Sequence, residues 1–112
     1  MEIASEIKFI DENLKNAYLK LETGKFEDKQ LKEWLDRASD DLKKNAFSGV
    51  QLSKRLIPKE YIAKFGPLDN LWKYNLPHSW RLIYTIKSNE VIVLCIVLEW
   101  MTHKEYERRF NY

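Results

Sequence analysis

The sequence predicts a single α+β domain, in which an N-terminal helical hairpin packs on a three- to four-stranded antiparallel sheet and a short C-terminal helix closes the fold. Apolar residues recur at helical spacing in the first half of the chain and alternate at strand spacing in residues 70–100. Helices followed by a run of strands favour an α+β arrangement. A length of 112 residues supports one domain, residues 1–112, with one core.

The N-terminal half predicts a strand and two helices. The segment "SEIKFI" alternates and ends at Asp11, which can cap a helix. After the break at Gly24, a second helix is predicted from about Glu27 to Asn45, with one apolar stripe. The apolar positions of the two helices are Leu14, Ala17, Tyr18 and Leu21, then Leu31, Leu35, Ala38 and Leu42.

The second half predicts mainly strands. "VQLSKRLIP" is compatible with a short strand or an extended loop, and "PKEYIAKFG" predicts one or two helical turns between Pro58 and Gly66. Strands are expected at about 70–76, 80–87 and 91–100. In "MTHKE", Thr102 and Glu105 form a capping box, so a short helix should begin at His103.

Two cations lie in strands that otherwise have core composition, namely Lys73 and Arg81. A three-residue turn at 77–79 keeps aromatic residues opposite apolar ones, whereas a two-residue turn would place them opposite polar groups. This register sets Asn75 opposite Arg81, with Lys73 on the diagonal. The helical hairpin should cover the aromatic face, and the cations should share the second face. They are either solvated residues of an open face or an anion site on a face that is partly covered.

Composition narrows the class of protein. Cys95 lies alone in an apolar run, so a buried inert thiol is expected, without a disulfide, a metal site or a cofactor. No stretch approaches the length of a membrane span, which predicts a cytoplasmic protein without a membrane partner. Residues 43–64 carry six basic groups and one acidic group, which indicates an anionic partner near Lys54 and Arg55.

The last predicted helix places a histidine in its first turn. Positions 103, 106, 107 and 110 lie on one side of this helix. The positive helix end disfavours the imidazolium, so His103 could act as a neutral base. Alternatively, Tyr106 only packs on the sheet and His103 is carried with it.

The ordered set "LWKYNL", "WRLIY", an all-apolar strand and "HKEY" resembles the RelE/ParE superfamily of toxins from prokaryotic toxin–antitoxin modules. The resemblance covers about residues 47–110; the N-terminal elements match only in order and kind. It implies a metal-independent endoribonuclease that cuts mRNA on the ribosome and is neutralised by a cognate antitoxin. The alternatives are a non-catalytic ParE-type inhibitor of DNA gyrase and an inactive binding module of the same fold.

The resemblance also suggests roles for individual residues. Arg81 matches a phosphate-contacting arginine, Lys73 a strand lysine, and His103 with Tyr106 the C-terminal residues that several nuclease branches use in the chemistry. Asn75 stands where some branches have a second lysine, and it is taken with the basic pair Lys54 and Arg55 as RNA-binding. RNA cleavage through the 2′-hydroxyl needs a base and fixed cations at the phosphate, which these residue types can supply.

Overall fold

Residues 2–110 are described by a computed structural model and form four α-helices and five β-strands. The strands are β1 (Glu6–Phe9), β2 (Val50–Gln51), β3 (Trp72–Asn75), β4 (Trp80–Ser88) and β5 (Val93–Thr102). The helices are α1 (Glu12–Lys20), α2 (Phe26–Lys44), α3 (Lys59–Phe65) and α4 (His103–Phe110). This arrangement confirms the predicted α+β class, with its helical hairpin and short C-terminal helix.

The sheet has five strands in the order β1-β5-β4-β3-β2, so the expected number of three to four was wrong. Strand β1 pairs parallel with β5, and the sheet is therefore mixed and not purely antiparallel. The additional edge strand β2 contributes only Val50 and Gln51 opposite β3. The segment "VQLSKRLIP" contains both this short strand and a 3₁₀ turn at Lys54–Leu56. Pairings between segments so distant in sequence are not encoded in the local alternation of either strand.

The predicted register of the β3–β4 hairpin is confirmed. Asn75 pairs with Arg81, and Trp72 pairs with Tyr84. The turn Pro77–Ser79 has three residues, and the Leu76 N–H donates to the Trp80 carbonyl to close it. His78 and Ser79 both adopt left-handed backbone angles, which are uncommon for residues with a Cβ atom.

The helical hairpin covers the aromatic face of the sheet. The Asp11 carboxylate caps α1 by accepting from the Leu14 N–H at 2.8 Å. All four predicted stripe positions of α2 are buried, and they pack against aromatic and aliphatic residues of β3, β4 and β5. Helix α1 has no fully buried residue and contributes partly buried side chains to this core.

A second core fills the other face of the sheet, so of the two alternatives left by the sequence, an open face and a partly covered one, the structure has a covered face. Helices α3 and α4 cover this face, with Tyr61, Tyr106 and Phe110 packed on Ile83 and Leu98. Helix α3 ends at Gly66, whose φ of 80° lies in the left-handed region that favours glycine. A sheet covered on both faces leaves little room for charge, so the cations on the second face lie near the ends of these helices.

A β-bulge changes the alternation within β5. Ile83 pairs with Glu99 and Tyr84 pairs with Val97, so Leu98 is an extra residue on β5. As a result, the consecutive residues Leu98 and Glu99 both lie on the second face, although strand alternation would place them on opposite faces. The bulge also directs Glu99 to the second face, where its carboxylate meets Tyr61. Bulges re-aim side chains in this way.

Candidate functional site

Four of the predicted site residues lie together on the second face of the sheet. Lys73 projects from β3, Arg81 from β4, and His103 and Tyr106 from the first two turns of α4. Their contacts connect them: Arg81 Nη2 lies 3.1 Å from His103 Nδ1, and both cations lie within 6 Å of the Tyr106 ring centre. We refer to these four residues as the Arg81 cluster.

The guanidinium of Arg81 is partly buried and contacts only neutral acceptors among residues 2–110. It donates to the Trp80 carbonyl at 3.1 Å and to His103 Nδ1 at 3.1 Å. Its Nε–H is buried and has no hydrogen-bond acceptor in this part of the chain. An arginine has five N–H donors, and a buried cation is ordinarily matched by a carboxylate or phosphate. The arrangement can therefore accept an anion.

The ring of Tyr106 forms the floor of the cluster. Tyr106 is only 1% exposed, and its ring centre lies 5.0 Å from Lys73 Nζ and 5.9 Å from Arg81 Cζ. Cations over an aromatic face are attracted by the ring quadrupole, by about 0.5–1 kcal/mol at exposed sites. The cations therefore contact the face of the Tyr106 ring, and its hydroxyl group is buried from solvent. A chemical role for that hydroxyl group stays a prediction.

His103 contacts charged groups on both sides of its ring. Nδ1 faces Arg81, and Nε2 lies 3.1 Å from Oε1 of Glu107, one helical turn further along α4. The side chains of His103 and Glu107 are about half exposed, at 45% and 50%. The helix is placed as predicted: the Glu105 N–H donates to the Thr102 hydroxyl at 3.3 Å, so His103 lies in the first turn.

The three residues predicted to bind RNA are placed differently. Asn75 is exposed at the end of β3 opposite Arg81, and so belongs to the same part of the sheet. Lys54 and Arg55 are exposed in the 3₁₀ turn before α3. Arg55 lines a groove of about 640 Å³ with Arg108 and Arg109, at the opposite end of α4 from His103. The structure therefore brings Asn75 to the Arg81 cluster, whereas the groove that Arg55 lines is separate from it.

Arg109, which lies in α4, has the opposite environment from Arg81 in β4. Arg109 Nη1 donates to both oxygens of Glu99, at 2.6 and 2.7 Å, and Glu60 and Glu105 lie within 4 Å of its other nitrogens. Burial is the largest single influence and by itself lowers the pKa of Arg109, but the attraction and hydrogen bonds of Glu99, together with Tyr61 and Glu60, outweigh it and the pKa is raised. Arg109 therefore anchors α4 to the sheet.

Tyr61 completes this anchor from α3. Its hydroxyl donates to Glu99 Oε2 at 2.6 Å, and burial together with that hydrogen bond raises the pKa of Tyr61 well above its ordinary value. We call Tyr61, Glu99 and Arg109 the α4 anchor. Sequence analysis did not find it, because the bulge that turns Glu99 to this face leaves no local signal.

Within 2–110, no group of three or more His, Cys, Asp or Glu residues is arranged to hold a metal ion. None of the helices in this part of the chain combines the length and apolar character needed to cross a bilayer. Cys95 is fully buried. His78 stacks on Trp34, with ring centres 5.2 Å apart, on the helical side of the sheet.

No protein-family model, curated protein or solved structure matches the chain. The proposed function therefore rests on the geometry of the Arg81 cluster and on the sequence resemblance.

Proposed function

We propose that this chain is the toxin of a toxin–antitoxin module, a metal-independent endoribonuclease that cuts mRNA on the ribosome in the cytoplasm. A cognate antitoxin would hold it inactive. The proposal joins the resemblance to RelE/ParE toxins with the arrangement of the Arg81 cluster. Its substrate would be a phosphodiester of RNA, and the ribosome would supply much of the positioning of the substrate.

The observation that carries the proposal is the contrast between two arginines. Arg109 is surrounded by three carboxylates, whereas Arg81 has none within ion-pair distance among residues 2–110. A partly buried guanidinium without a protein anion is suited to an anion from a ligand. Asn75 and Lys73 flank it, and an imidazole contacts it directly. This is the composition that phosphodiester cleavage needs.

Each side chain has a distinct part in the proposed reaction. Arg81 and Lys73 would hold the scissile phosphate and stabilise the charge that develops on it. His103 would take the proton of the 2′-hydroxyl group as a general base. The Tyr106 ring would fix the two cations from below, and Asn75 would donate a hydrogen bond to RNA at the open edge. Lys54 and Arg55 would contact RNA or antitoxin outside the catalytic cluster.

A non-catalytic role is the second candidate, and one observation favours it. Both ring nitrogens of His103 have partners, Arg81 and Glu107, and the Tyr106 hydroxyl is buried. A general base must have a lone pair that reaches its proton. If Arg81 never releases His103, the surface would bind without cutting, as in a ParE-type inhibitor of gyrase or an inactive binding module.

The test is single-turnover cleavage of mRNA on programmed ribosomes, with gyrase supercoiling measured in parallel. Wild-type protein should cut the RNA, and Arg81→Ala should cut about 10²–10³-fold more slowly, because it loses a preorganised cation. Its thermal midpoint should stay close to that of the wild type, because Arg81 contacts only neutral acceptors and already leaves one donor unsatisfied.

Lys29→Ala is the matched control, since Lys29 is exposed near the start of α2, away from the cluster and from Asn75. It removes the same charge and should leave the cleavage rate unchanged. Gyrase inhibition without RNA cleavage would favour the ParE-type alternative, and the absence of both activities would favour a binding module. Cleavage at the wild-type rate by Arg81→Ala would refute the assignment of the site.

A further inference from the structure

The two contacts of His103 define its protonation state and tautomer. A guanidinium has only N–H donors, so Nδ1 must accept the hydrogen bond from Arg81 at 3.1 Å. An ionised carboxylate only accepts, so Nε2 must donate to Glu107, also at 3.1 Å. Both contacts are satisfied together only by the neutral ring that carries its hydrogen on Nε2. The basic lone pair is therefore on Nδ1, the nitrogen that faces Arg81.

A bound phosphate would change one of these contacts and leave the other. A phosphate oxygen carries negative charge and the imidazole nitrogen does not, so the guanidinium binds a phosphate more strongly than it binds Nδ1. Phosphate would therefore compete with Nδ1 for Arg81 Nη2 and leave the Nδ1 lone pair open to a nearby hydroxyl group. Once Arg81 has turned to the phosphate, only the Glu107 contact still fixes the tautomer and orientation of the ring.

We propose that Glu107 is the positioning residue of His103, and that Nδ1 is the atom that takes the substrate proton. This rests on the proposed ribonuclease function. Glu107 holds Nε2–H before the reaction and stabilises the imidazolium that forms when Nδ1 is protonated. A carboxylate on the far ring nitrogen is the usual means of fixing a catalytic histidine.

The proposed step is a transesterification within the RNA strand. The 2′-hydroxyl proton moves to Nδ1, a bond forms between the 2′-oxygen and phosphorus, and the bond from phosphorus to the 5′-oxygen breaks. The leaving 5′-oxygen takes a proton from water, and the imidazolium later returns its proton to water. The products are a 2′,3′-cyclic phosphate and a 5′-hydroxyl group, without any change of oxidation state.

The same helix provides a matched control. Glu105 has nearly the same side-chain exposure as Glu107, 45% against 50%, but it pairs with Arg108 at 2.5 Å and with Arg109 and not with His103. Glu105→Gln and Glu107→Gln remove the same charge from positions two residues apart on α4. Any effect of net charge on RNA binding should therefore be equal in the two variants, whereas an effect on the His103 ring should be confined to Glu107.

The first measurement is ¹⁵N NMR of the His103 ring in free protein at a pH where the ring is neutral. In Arg81→Ala, Glu107 alone should hold a single Nε2–H tautomer, with widely separated shifts for the two nitrogens. In the double variant Arg81→Ala/Glu107→Ala, the shifts should move towards those of exchanging tautomers. Exchange-averaged shifts in Arg81→Ala itself would overturn the positioning role, whether or not the protein cuts RNA.

The second measurement is single-turnover cleavage on programmed ribosomes at saturating protein. Glu107→Ala should be about tenfold slower, in keeping with the loss of one partly exposed hydrogen bond to a charged group. Glu107→Gln keeps an acceptor oxygen and should recover part of that loss, and Glu105→Gln should match the wild type. Half-saturating protein concentrations should shift equally in the two Gln variants.

The outcomes separate this proposal from the function on which it rests. Cleavage by Glu107→Ala at the wild-type rate would overturn the positioning role while the ribonuclease function stands. Absence of cleavage by the wild-type protein would overturn the function and the catalytic part of this proposal with it. The NMR comparison then decides on its own whether Glu107 holds the ring.

Discussion

Replacing Glu99 by Gln tests whether the α4 anchor stabilises the fold. Glu99 accepts two hydrogen bonds from Arg109 and one from Tyr61, all between 2.6 and 2.7 Å. A glutamine at this position keeps one acceptor oxygen but presents an NH₂ group to one of these donors. It also removes the charge nearest to Arg109. The variant should therefore fold, with a weaker attachment of α3 and α4 to the sheet.

The magnitude follows from burial. Removing one partner of a fully buried ion pair costs about 3–5 kcal/mol. The side chains of Arg109 and Glu99 are 20% and 25% exposed, and Glu60 and Glu105 remain near Arg109, so screening and substitute partners reduce the cost. We expect a loss of about 2 kcal/mol in the free energy of unfolding. For a domain of this size, that corresponds to a fall of about 8 °C in the thermal midpoint.

The assay is urea denaturation followed by circular dichroism, with Glu105→Gln as the control. Glu105 loses the same charge from more exposed contacts with Arg108 and, at 3.7 Å, with Arg109, so its midpoint should fall much less than that of Glu99→Gln. In Glu99→Gln/Arg109→Met both charges are gone and no guanidinium is left without the Glu99 carboxylate, so part of the stability should return. A loss below about 0.5 kcal/mol for Glu99→Gln, or purely additive effects in the double variant, would refute the role of the anchor.

Three further predictions concern other parts of the molecule. Burial raises the pKa of Tyr61 and Tyr84 above the ordinary value and that of Tyr74 to about 12, so the folded state favours the neutral phenols and its stability should fall only as the pH rises above about 10. Above that pH, the urea midpoint of Tyr84→Phe should decline less steeply than that of the wild type, and equal slopes would show that Tyr84 ionises normally. Burial also raises the pKa of the Cys95 thiol, although the Ser5 hydroxyl forms a hydrogen bond with it at 3.2 Å. Iodoacetamide should therefore label Cys95 only as fast as the protein unfolds in urea, and rapid labelling of the folded protein would contradict the burial. If an antitoxin covers Lys54 and Arg55, its affinity for the Lys54→Gln/Arg55→Gln variant should depend less on salt than its affinity for the wild type, as measured by titration calorimetry. The control Lys20→Gln/Lys29→Gln, on the helical side, should keep the wild-type salt dependence, and equal salt dependence in all three proteins would exclude that footprint.

The β3–β4 hairpin was predictable because two local signals agree. Its alternation is strict on both strands, and an odd turn is the only length that keeps aromatic residues together. The same signals placed Arg81 and Asn75 opposite each other before any tertiary contact was known. The start of α4 was equally local, since a capping box acts within four residues. Lys73, Asn75 and Arg81 could therefore be assigned to one face of the sheet.

The α4 anchor and the pairing of the outer strands could not be predicted in this way. The sequence of β1 predicts a strand, but its parallel partner β5 lies more than 80 residues away, and such pairing depends on the whole topology. Glu99 lies in a strand whose alternation indicates one face for it, and the bulge at Leu98 moves it to the other. Helical spacing put Glu107 on the same side as His103, yet its role depends on Arg81, which occupies the other ring nitrogen.

The close approach of two backbone segments explains one further constraint on the fold. The Gly49 N–H donates to the Tyr84 hydroxyl at 3.1 Å, and that hydroxyl donates to the Ala46 carbonyl at 2.9 Å. A Cβ atom on Gly49 would lie only 2.5 Å from the Lys73 carbonyl oxygen and 2.6 Å from the Tyr84 hydroxyl. Glycine is therefore required here by space, although its φ of −85° is available to any residue. This contact sets β2 against β3, the strand that carries Lys73.

The bulge in β5 links the stability of α4 to the geometry of the Arg81 cluster. Because Leu98 is an extra residue, Glu99 and Met101 both lie on the second face, with Met101 directly opposite Arg81. Glu99 then holds the far end of α4 through Arg109, and the near end carries His103 to the Arg81 guanidinium. The helix is thus fixed at both ends by arginines with different environments. Arg109 is neutralised within the fold and can only support, whereas Arg81 keeps donors for an anion that the described residues do not supply.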